Sequence, residues 1–328
     1  MKKILLILLG FILIVILLVF LLLERKIKTI TPVVQKKPTI TPTPSKLMKW
    51  GVFAGGNVSD YTAFEKKVNE SFGYIVSFVH WGNENDFPSS IANYAKNKGK
   101  TLVIFWEAVD YNNKDVNDPR FSYDTILSGK YDKYFKSFAG QCRSYGNEII
   151  LIPFEEVNGD WYPWSGTKNN NSAEKHILAY RLLKSYFKEV PNVKFGWTIN
   201  SDSVPSDPQN SLGVYYPGGN YVDIVGVNGF NFNDPWMSFS QIFDQTLRDL
   251  EKYQKPIMIF SMASAEGNKK ADWIKDAFGV QVNKYKNLVG WIWFNENKEK
   301  DWRIWSSESS LKAFIESLPT PTSSGSPR

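Results

Sequence analysis

Two adjacent carboxylates, Glu155 and Glu156, lie where an apolar run ends and an aromatic loop begins. The loop carries Trp161, Tyr162 and Trp164. A carboxyl group can act as a general acid on a substrate bond, and large rings can hold the substrate. The pattern therefore favours a site that protonates a bound substrate. The alternative is a solvent-exposed strand end followed by a packed loop.

The elements that must position these residues form a regular alternation. Apolar, strand-like runs lie at 49–54, 74–80, 101–106, 148–155, 194–198, 222–228, 256–261 and 289–294. Helical patterns lie near 61–71, 88–98, 130–145, 172–189, 238–253, 268–286 and 307–317, and the connection at 201–219 reads as a loop. This alternation predicts a parallel sheet, and its eight units predict a (β/α)8 TIM barrel. A doubly wound open sheet is the alternative, although no glycine-rich phosphate loop follows the first run, where Gly55-Gly56 stands alone.

A barrel predicts where the function lies, because active sites of such folds sit at the carboxyl ends of the strands. Polar residues and tryptophans cluster at these ends in the sequence. A single tryptophan in a barrel is as readily explained by core packing, but several at one rim favour binding. Rings beside amides and carboxylates suit sugars. We therefore expect these residues to bind substrate: His80, Trp81, Trp106, Glu107, Glu155, Asn158, Trp161, Trp164, Asn228, Phe230 and Trp293.

Several of these stretches resemble glycoside hydrolase family 26, the β-mannanase-type family. The similarity is carried by FEEVNGDWYPW at the fourth run, YYPGGNYVDIVGVNGFN at the sixth, KPIMIFSMASAEG at the seventh and FNENKEKDWRI after the eighth. It extends over roughly 48–318. The family pattern at the fourth strand is Arg-Pro-x-His-Glu, followed by Asn-Gly and an aromatic loop.

The resemblance implies a retaining glycosidase built on a barrel. It places the acid/base glutamate at Glu156 and the nucleophile position at Ser261, where the family has glutamate. The family's histidine before the acid/base residue is Glu155 here, its arginine is Ile152, and its tyrosine on the sixth strand is Phe230.

These departures leave the second catalytic group open. Retaining hydrolysis needs two carboxyl groups about 5–5.5 Å apart, and a serine without a neighbouring base is a poor nucleophile. Glu266, Glu107 and Glu155 are candidate replacements, although a helix-capping role is favoured for Glu266 and a hydrogen-bonding role for Glu107. Glu155 can share the cavity with Glu156 only if the strand ends there, since strand neighbours face opposite sides. Repulsion between the two carboxylates would then raise the pKa of one of them. The alternative is that Glu155 forms a structural ion pair with an Arg or a Lys.

Metal and cofactor chemistry have no signature in the sequence. The two histidines, His80 and His176, are far apart, and Cys142 is the single cysteine. We expect no cofactor and no metal, a hydrogen-bonding role at the rim for His80, and a solvated His176.

The charge and the amino-terminal segment point to a membrane rather than to nucleic acid. The formal charge is +6, but nine basic residues and one acid lie in 1–49, which leaves 30 basic against 32 acidic residues elsewhere. The folded part therefore has no basic excess for phosphates. Residues 4–23 are uncharged, long enough to cross about 30 Å of hydrocarbon, and no signal-peptidase pattern follows.

The predicted organisation is a membrane anchor (1–26), a Thr/Pro-rich linker (27–47), the barrel (48–318) and a disordered tail (319–328). We expect a single-pass protein of the cell membrane with the barrel outside the cytoplasm. Two functions stay open: a glycosidase acting on β-linked, mannan-like polysaccharide by retaining chemistry with Glu156, and a catalytically inactive polysaccharide-binding barrel. A scaffold for envelope polymers is a third, less favoured interpretation.

Overall fold

The fold is a closed parallel β-barrel. The computed structural model describes residues 48–83, 87–113 and 115–318. Neighbouring strands pair in chain order, and β1 also pairs with β8, which closes the sheet. Closure confirms the predicted barrel and excludes the open-sheet alternative. The strands are β1 Lys49–Phe53, β2 Tyr74–His80, β3 Thr101–Glu107, β4 Ile149–Pro153, β5 Val193–Asn200, β6 Ile224–Asn231, β7 Ile257–Ser264 and β8 Leu288–Phe294.

Helices follow the strands and cover the outside of the barrel. Hydroxyl caps begin several of them: Ser172, Ser238 and Ser307 each accept a backbone N–H of the first turn, as N-cap residues do. The described helices are α1 Val58–Val68, α2 Ser89–Asn97, α3 Tyr123–Leu127, α4 Asp132–Tyr145, α5 Ala173–Tyr186, α6 Phe239–Glu251, α7 Lys270–Gly279 and α8 Glu308–Ser317. The predicted helices are present, the short α3 was not predicted, and 201–219 contains only 3-10 turns.

Strand alternation divides the apolar residues into two layers. Val103 and Phe105 of β3 point into the barrel and join Ile150, Ile152 and Phe260 in its interior. The intervening residues point outward and pack against the helices in a second, larger layer. Trp106 belongs to this outer layer, with its ring stacked on Phe138 of α4 at 4.8 Å. The polar residues at the strand ends therefore lie above a filled, apolar barrel.

The barrel is a unit in its own right. The described residues from 48 to 318 belong to one compact unit, and the core described above is built from its own strands and helices. A unit with its own hydrophobic core can fold alone. The predicted anchor, linker and tail lie outside the described residues. None of the described helices is long and apolar enough to cross a membrane.

Candidate active site

The backbone after β4 turns both adjacent acids toward the barrel mouth. Phe154 has a φ of +57° and Glu156 a φ of +54°, in the left-handed region that bulky residues rarely adopt. Strict alternation from Ile152 would point Phe154 inward, but its ring packs outward, 5.1 Å from that of Tyr123. Glu155 and Glu156 therefore both line the cavity. The strand ends before Glu155, which is the condition under which the two acids can share a site.

Glu156 is held by two donors. The indole Nε1 of Trp161 donates to its Oε2 at 2.9 Å, and the amide Nδ2 of Asn228 donates to its Oε1 at 2.8 Å. Gly159 makes the first contact possible, because a Cβ there would lie 2.5 Å from the Trp161 ring. The Asn158-Gly159 turn thus lets the indole fold over the carboxyl group. Both oxygens have a fixed orientation, as a group that transfers protons requires.

Burial prepares Glu156 to carry a proton. Desolvation raises the pKa of Glu156 above its ordinary value of 4.5; the hydrogen bonds from Asn228 and Trp161 oppose this shift, and the charge of Glu107 adds to it. General acids that work near neutral pH have raised pKa values of this kind.

Glu155, Glu107 and His80 form a second polar cluster beside Glu156. Burial raises the pKa of Glu155 well above 4.5, and the neighbouring charge of Glu107 raises it further. Neither oxygen of Glu155 receives a hydrogen bond from a described residue. Burial and the neighbouring charge of Glu107 therefore both favour the protonated form of Glu155. Glu107 also pairs with His80, whose Nε2 lies 2.7 Å from Oε2. Glu155 thus pairs with another acid rather than with Arg or Lys.

Ser261 occupies the neighbouring wall of the site. Its Cα is paired with that of Asn228 in the β6–β7 ladder, so it lies one strand from the amide that holds Glu156. Ser261 is the only residue of β7 among the described residues that line the cavity. Phe230 also lines it, whereas Ile152 is buried in the barrel interior. At these three positions the chain presents a hydroxyl, a ring and an aliphatic side chain.

The cavity has the size and lining of a saccharide site. Its volume is about 970 Å³, at the upper end for small-molecule pockets. The exposed rings of Tyr111, Trp161 and Phe232 border it. Its described lining is strongly acidic, with Lys298 as the one lysine beside seven acids: Glu107, Asp110, Glu155, Glu156, Asp202, Glu296 and Glu299.

The structure corrects several sequence predictions of substrate contact. Four tryptophans are buried in the outer core layer and do not line the cavity: Trp81, Trp106, Trp164 and Trp293. Their positions in the strands and loops turn the rings toward the helices. Trp164 donates to the carbonyl of Glu155 at 2.8 Å and stacks under Tyr162. Asn158 is buried and ties the loop to β5, where its Oδ1 accepts the backbone N–H of Asn200.

The structure also places His176 and Glu266, two residues discussed in the sequence analysis. His176 is not solvated: it is fully buried in α5, its Nδ1 lies 2.7 Å from the hydroxyl of Tyr123, and burial lowers its pKa to about 3. Glu266 does not reach the cavity; its carboxylate accepts the Ser306 hydroxyl and lies 3.9 Å from Nζ of Lys270. His80, Glu107, Glu155, Trp161, Asn228 and Phe230 do line the cavity.

The loop residues that line the cavity were harder to predict from the sequence. Tyr162 lines the cavity and was named only as part of the aromatic loop, while Tyr111, Phe232, Asp202 and Lys298 were not singled out. Tyr111 and Phe232 each follow a strand end by a few residues, which is a weak signal for a position at the rim. No group of three or more His, Cys, Asp or Glu side chains within the described part of the chain is arranged to hold a metal ion.

A barrel with a buried, doubly hydrogen-bonded acid at the carboxyl ends of its strands has the architecture of a glycosidase. The chain belongs to glycosyl hydrolase family 26, whose sequence profile matches residues 71–317. This confirms the resemblance drawn from the strand-end motifs.

Individual relatives agree with this assignment. Endoglucanase H of Acetivibrio thermocellus is 34% identical over 284 residues, which are 83% of this chain and 30% of that protein. A mannan endo-1,4-beta-mannosidase of Bacillus subtilis is 27% identical over 101 residues, 29% of this chain and 27% of the relative. The chain therefore spans about a third or less of these relatives. The structure of a beta-mannanase of this family from Bacteroides ovatus shares the fold, with a TM-score of 0.60 at 16% identity over 83% of this chain and 88% of that one.

Proposed function

We propose that the protein binds β-linked polysaccharide of the mannan or glucan type across the barrel mouth and that Glu156 provides acid/base catalysis there. The observation that carries this proposal is the geometry of Glu156, which is buried and held by Trp161 and Asn228. A carboxyl group in this setting can donate a proton to a glycosidic oxygen. The exposed rings at the rim offer faces on which sugars can stack.

The substrate class rests on the relatives. One is named an endoglucanase and others mannan endo-1,4-beta-mannosidases. The first name describes internal cleavage of a glucan, and the second describes internal cleavage of a 1,4-beta-linked mannan. The open, ring-bordered cavity suits a chain that passes through the site. We therefore propose β-1,4-linked mannan and β-linked glucan as the polymers to be tested first.

Retaining hydrolysis is the route that the family resemblance implies, and Ser261 does not provide its second carboxylate. We therefore propose that hydrolysis by the native chain is weak and that replacing Ser261 by glutamate restores the retaining route. The second candidate function is binding without turnover. Ser261 and Phe230 favour it, because both the nucleophile and the hydroxyl beside it are replaced while Glu156 is kept.

The barrel unit, residues 46–328, allows these two candidates to be compared. Binding to a panel of soluble mannans, glucans and xylans is measured by affinity electrophoresis, and reducing ends are measured on the same polymers. Retardation by mannan or glucan supports the proposal. Reducing ends above those of a Glu156→Gln control support hydrolysis, and retardation without them supports the binding function. No retardation by any polymer would refute both.

We further propose that the predicted anchor and Thr/Pro-rich linker hold the barrel on the outer face of the cell membrane. The run of uncharged residues at 4–23 supports this location. Protease treatment of intact cells tests it: release of a barrel-sized fragment is expected. A barrel that is degraded only after lysis would contradict the proposal.

A further inference from the structure

Negative charge is concentrated at the barrel mouth. The chain after residue 49 carries 30 basic and 32 acidic residues, so it is close to neutral as a whole. The described lining of the cavity nevertheless contains seven acids, no arginine and Lys298 as its one lysine. This imbalance is therefore a property of the cavity and not of the whole barrel.

Few of the acids in the cavity are neutralised by a basic side chain. Asp110 pairs with Arg120 at 3.3 Å, and Glu107 pairs with His80 at 2.7 Å. Within the described part of the chain, the other five acids of the lining form no salt bridge. A cleft lined by one sign of charge focuses its field and concentrates ligands of the opposite sign. The cavity therefore favours a cationic ligand.

Glu155 gives independent evidence for a cationic group at a defined position. Its side chain lines the cavity and is only 2% exposed, and neither oxygen receives a hydrogen bond from a described residue. Buried polar groups in native proteins nearly always have partners, because leaving one without a partner destabilises the fold. A positively charged donor on a ligand would supply the missing hydrogen bonds and would stabilise the ionised form of Glu155.

An ammonium group has the chemistry that this position requires. It carries one positive charge and three N–H donors, and its hydrogen bonds to carboxylates are among the strong ones. The charges of Glu107 and Glu156 both act on Glu155, so the three carboxyl groups form one cluster. The exposed rings of Tyr111 and Trp161 at the border of the cavity offer faces that also attract cations.

We propose that the β-linked polysaccharide recognised at the barrel mouth carries ammonium groups, as a β-1,4-linked polymer of 2-amino-2-deoxyglucose does. The inference rests on the proposed function, because the same cavity binds the chain, and it adds the chemical class of the sugars. The acids of the lining draw the cationic chain into the mouth. Glu155 accepts hydrogen bonds from one ammonium group and thereby selects it over the hydroxyl of a neutral sugar.

The test is calorimetric titration of the barrel unit at about pH 5.5, where an aliphatic amine is protonated. The ligands are the β-1,4-linked hexamers of 2-amino-2-deoxyglucose, of glucose and of mannose. The first two differ only in the group at C2. We expect the amino hexamer to bind at least about tenfold more tightly than the glucose hexamer, since its hydrogen bonds are charged. Raising the salt concentration from about 0.05 M to about 0.5 M should narrow this difference, because salt screens charges.

Three variants locate the selectivity within the protein. Glu155→Gln keeps the size of the side chain and should lower the ratio of the two affinities about tenfold. Asp202→Asn changes an exposed acid of the lining and should lower the ratio a few-fold. Glu189→Gln makes the same change of charge at an exposed position outside the cavity, and the ratio should stay at its native value. Thermal unfolding shows that each variant is folded, and Asp202→Asn decides if Glu155→Gln is not.

The possible results separate this inference from the proposed function. If a neutral hexamer binds and the amino hexamer binds no more tightly, the inference is wrong and the proposed function stands. If Glu189→Gln lowers the ratio as much as the cavity variants do, the attraction comes from the overall charge and the inference is also wrong. If none of the three hexamers binds, the proposed function fails as well.

Discussion

Restoring a carboxylate at position 261 tests the interpretation of the site by gain of function. Ser261 lines the cavity beside Asn228, which holds Glu156. In the Ser261→Glu variant, the new carboxylate on β7 lies one strand from Asn228, whose amide holds the acid/base residue. Retaining hydrolysis then has both of its groups. We expect hydrolysis of the bound polymer to rise above that of the native chain.

The magnitude follows from the charges that the change brings together. At the separation of about 5–5.5 Å that retention requires, two carboxylates repel by about 3 kcal/mol at an effective dielectric constant of about 20. This repulsion raises the pKa of Glu156 further and moves the alkaline limb of the pH–rate profile upward. Loss of a nucleophile costs up to about 10⁶ in rate. We expect a gain on the order of 10²–10⁴, because Ile152 and Phe230 still lack the groups of the family pattern.

The assay compares Ser261→Glu with Ser261→Gln, which matches its size but carries no charge. Reducing ends from mannan and β-glucan are measured over a range of pH, and NMR shows the configuration of the first product. The glutamate variant should release a retained product, and the glutamine variant should stay at the native rate. Burial of the new carboxylate destabilises the fold by about 1–3 kcal/mol, so unfolding is measured in parallel. A folded glutamate variant that binds polymer but is no faster than glutamine would refute the reasoning.

Three other changes probe the groups around the site and the core. In the Ser261→Glu background, Trp161→Phe removes the indole N–H that donates to Glu156. Because this hydrogen bond lowers the pKa of Glu156, the pH–rate profile should move to higher pH. An unchanged profile would exclude the contact. Burial raises the pKa of Glu155 above 4.5, so the native chain loses stability as the pH rises above this value. The stability of Glu155→Gln in urea unfolding should therefore increase relative to that of the native chain from about pH 4 to about pH 8. His176 has a pKa of about 3 in the folded chain, so the native chain should lose stability as the pH falls below about 6.5. A His176→Phe variant that loses as much stability over this range would contradict this explanation.

Much of the fold could be predicted because local pattern and global architecture agree. The apolar runs and the helical segments follow one another with short connections, and each predicted strand overlaps an observed one. The strand tryptophans were misassigned because neighbouring residues of a strand face opposite sides of the sheet, one toward the barrel interior and the other toward the helices. Phe105 faces inward and Trp106 outward, and the sequence alone does not show which of the two neighbours faces the mouth.

The site could be predicted only in part, because its key turn has no sequence signal. Glu156 and Ser261 were identified from the family pattern. The inward position of Glu155 depends on the left-handed backbone at Phe154, a conformation that a bulky residue adopts only when its surroundings enforce it. The burial of His176 depends on which face of α5 meets the barrel. Tyr111 and Phe232 lie in loops after strand ends, where neither periodicity nor propensity fixes direction.

The central claim is that a β-linked saccharide binds at the barrel mouth, against Trp161 and Glu156. The most direct measurement is calorimetric titration of the barrel unit with β-1,4-mannohexaose and a β-linked gluco-oligosaccharide, beside the Trp161→Ala variant. We predict binding of at least one of them, weakened up to about tenfold by loss of the ring. Absence of binding by the native barrel, or equal binding by a folded Trp161→Ala variant, would contradict the claim.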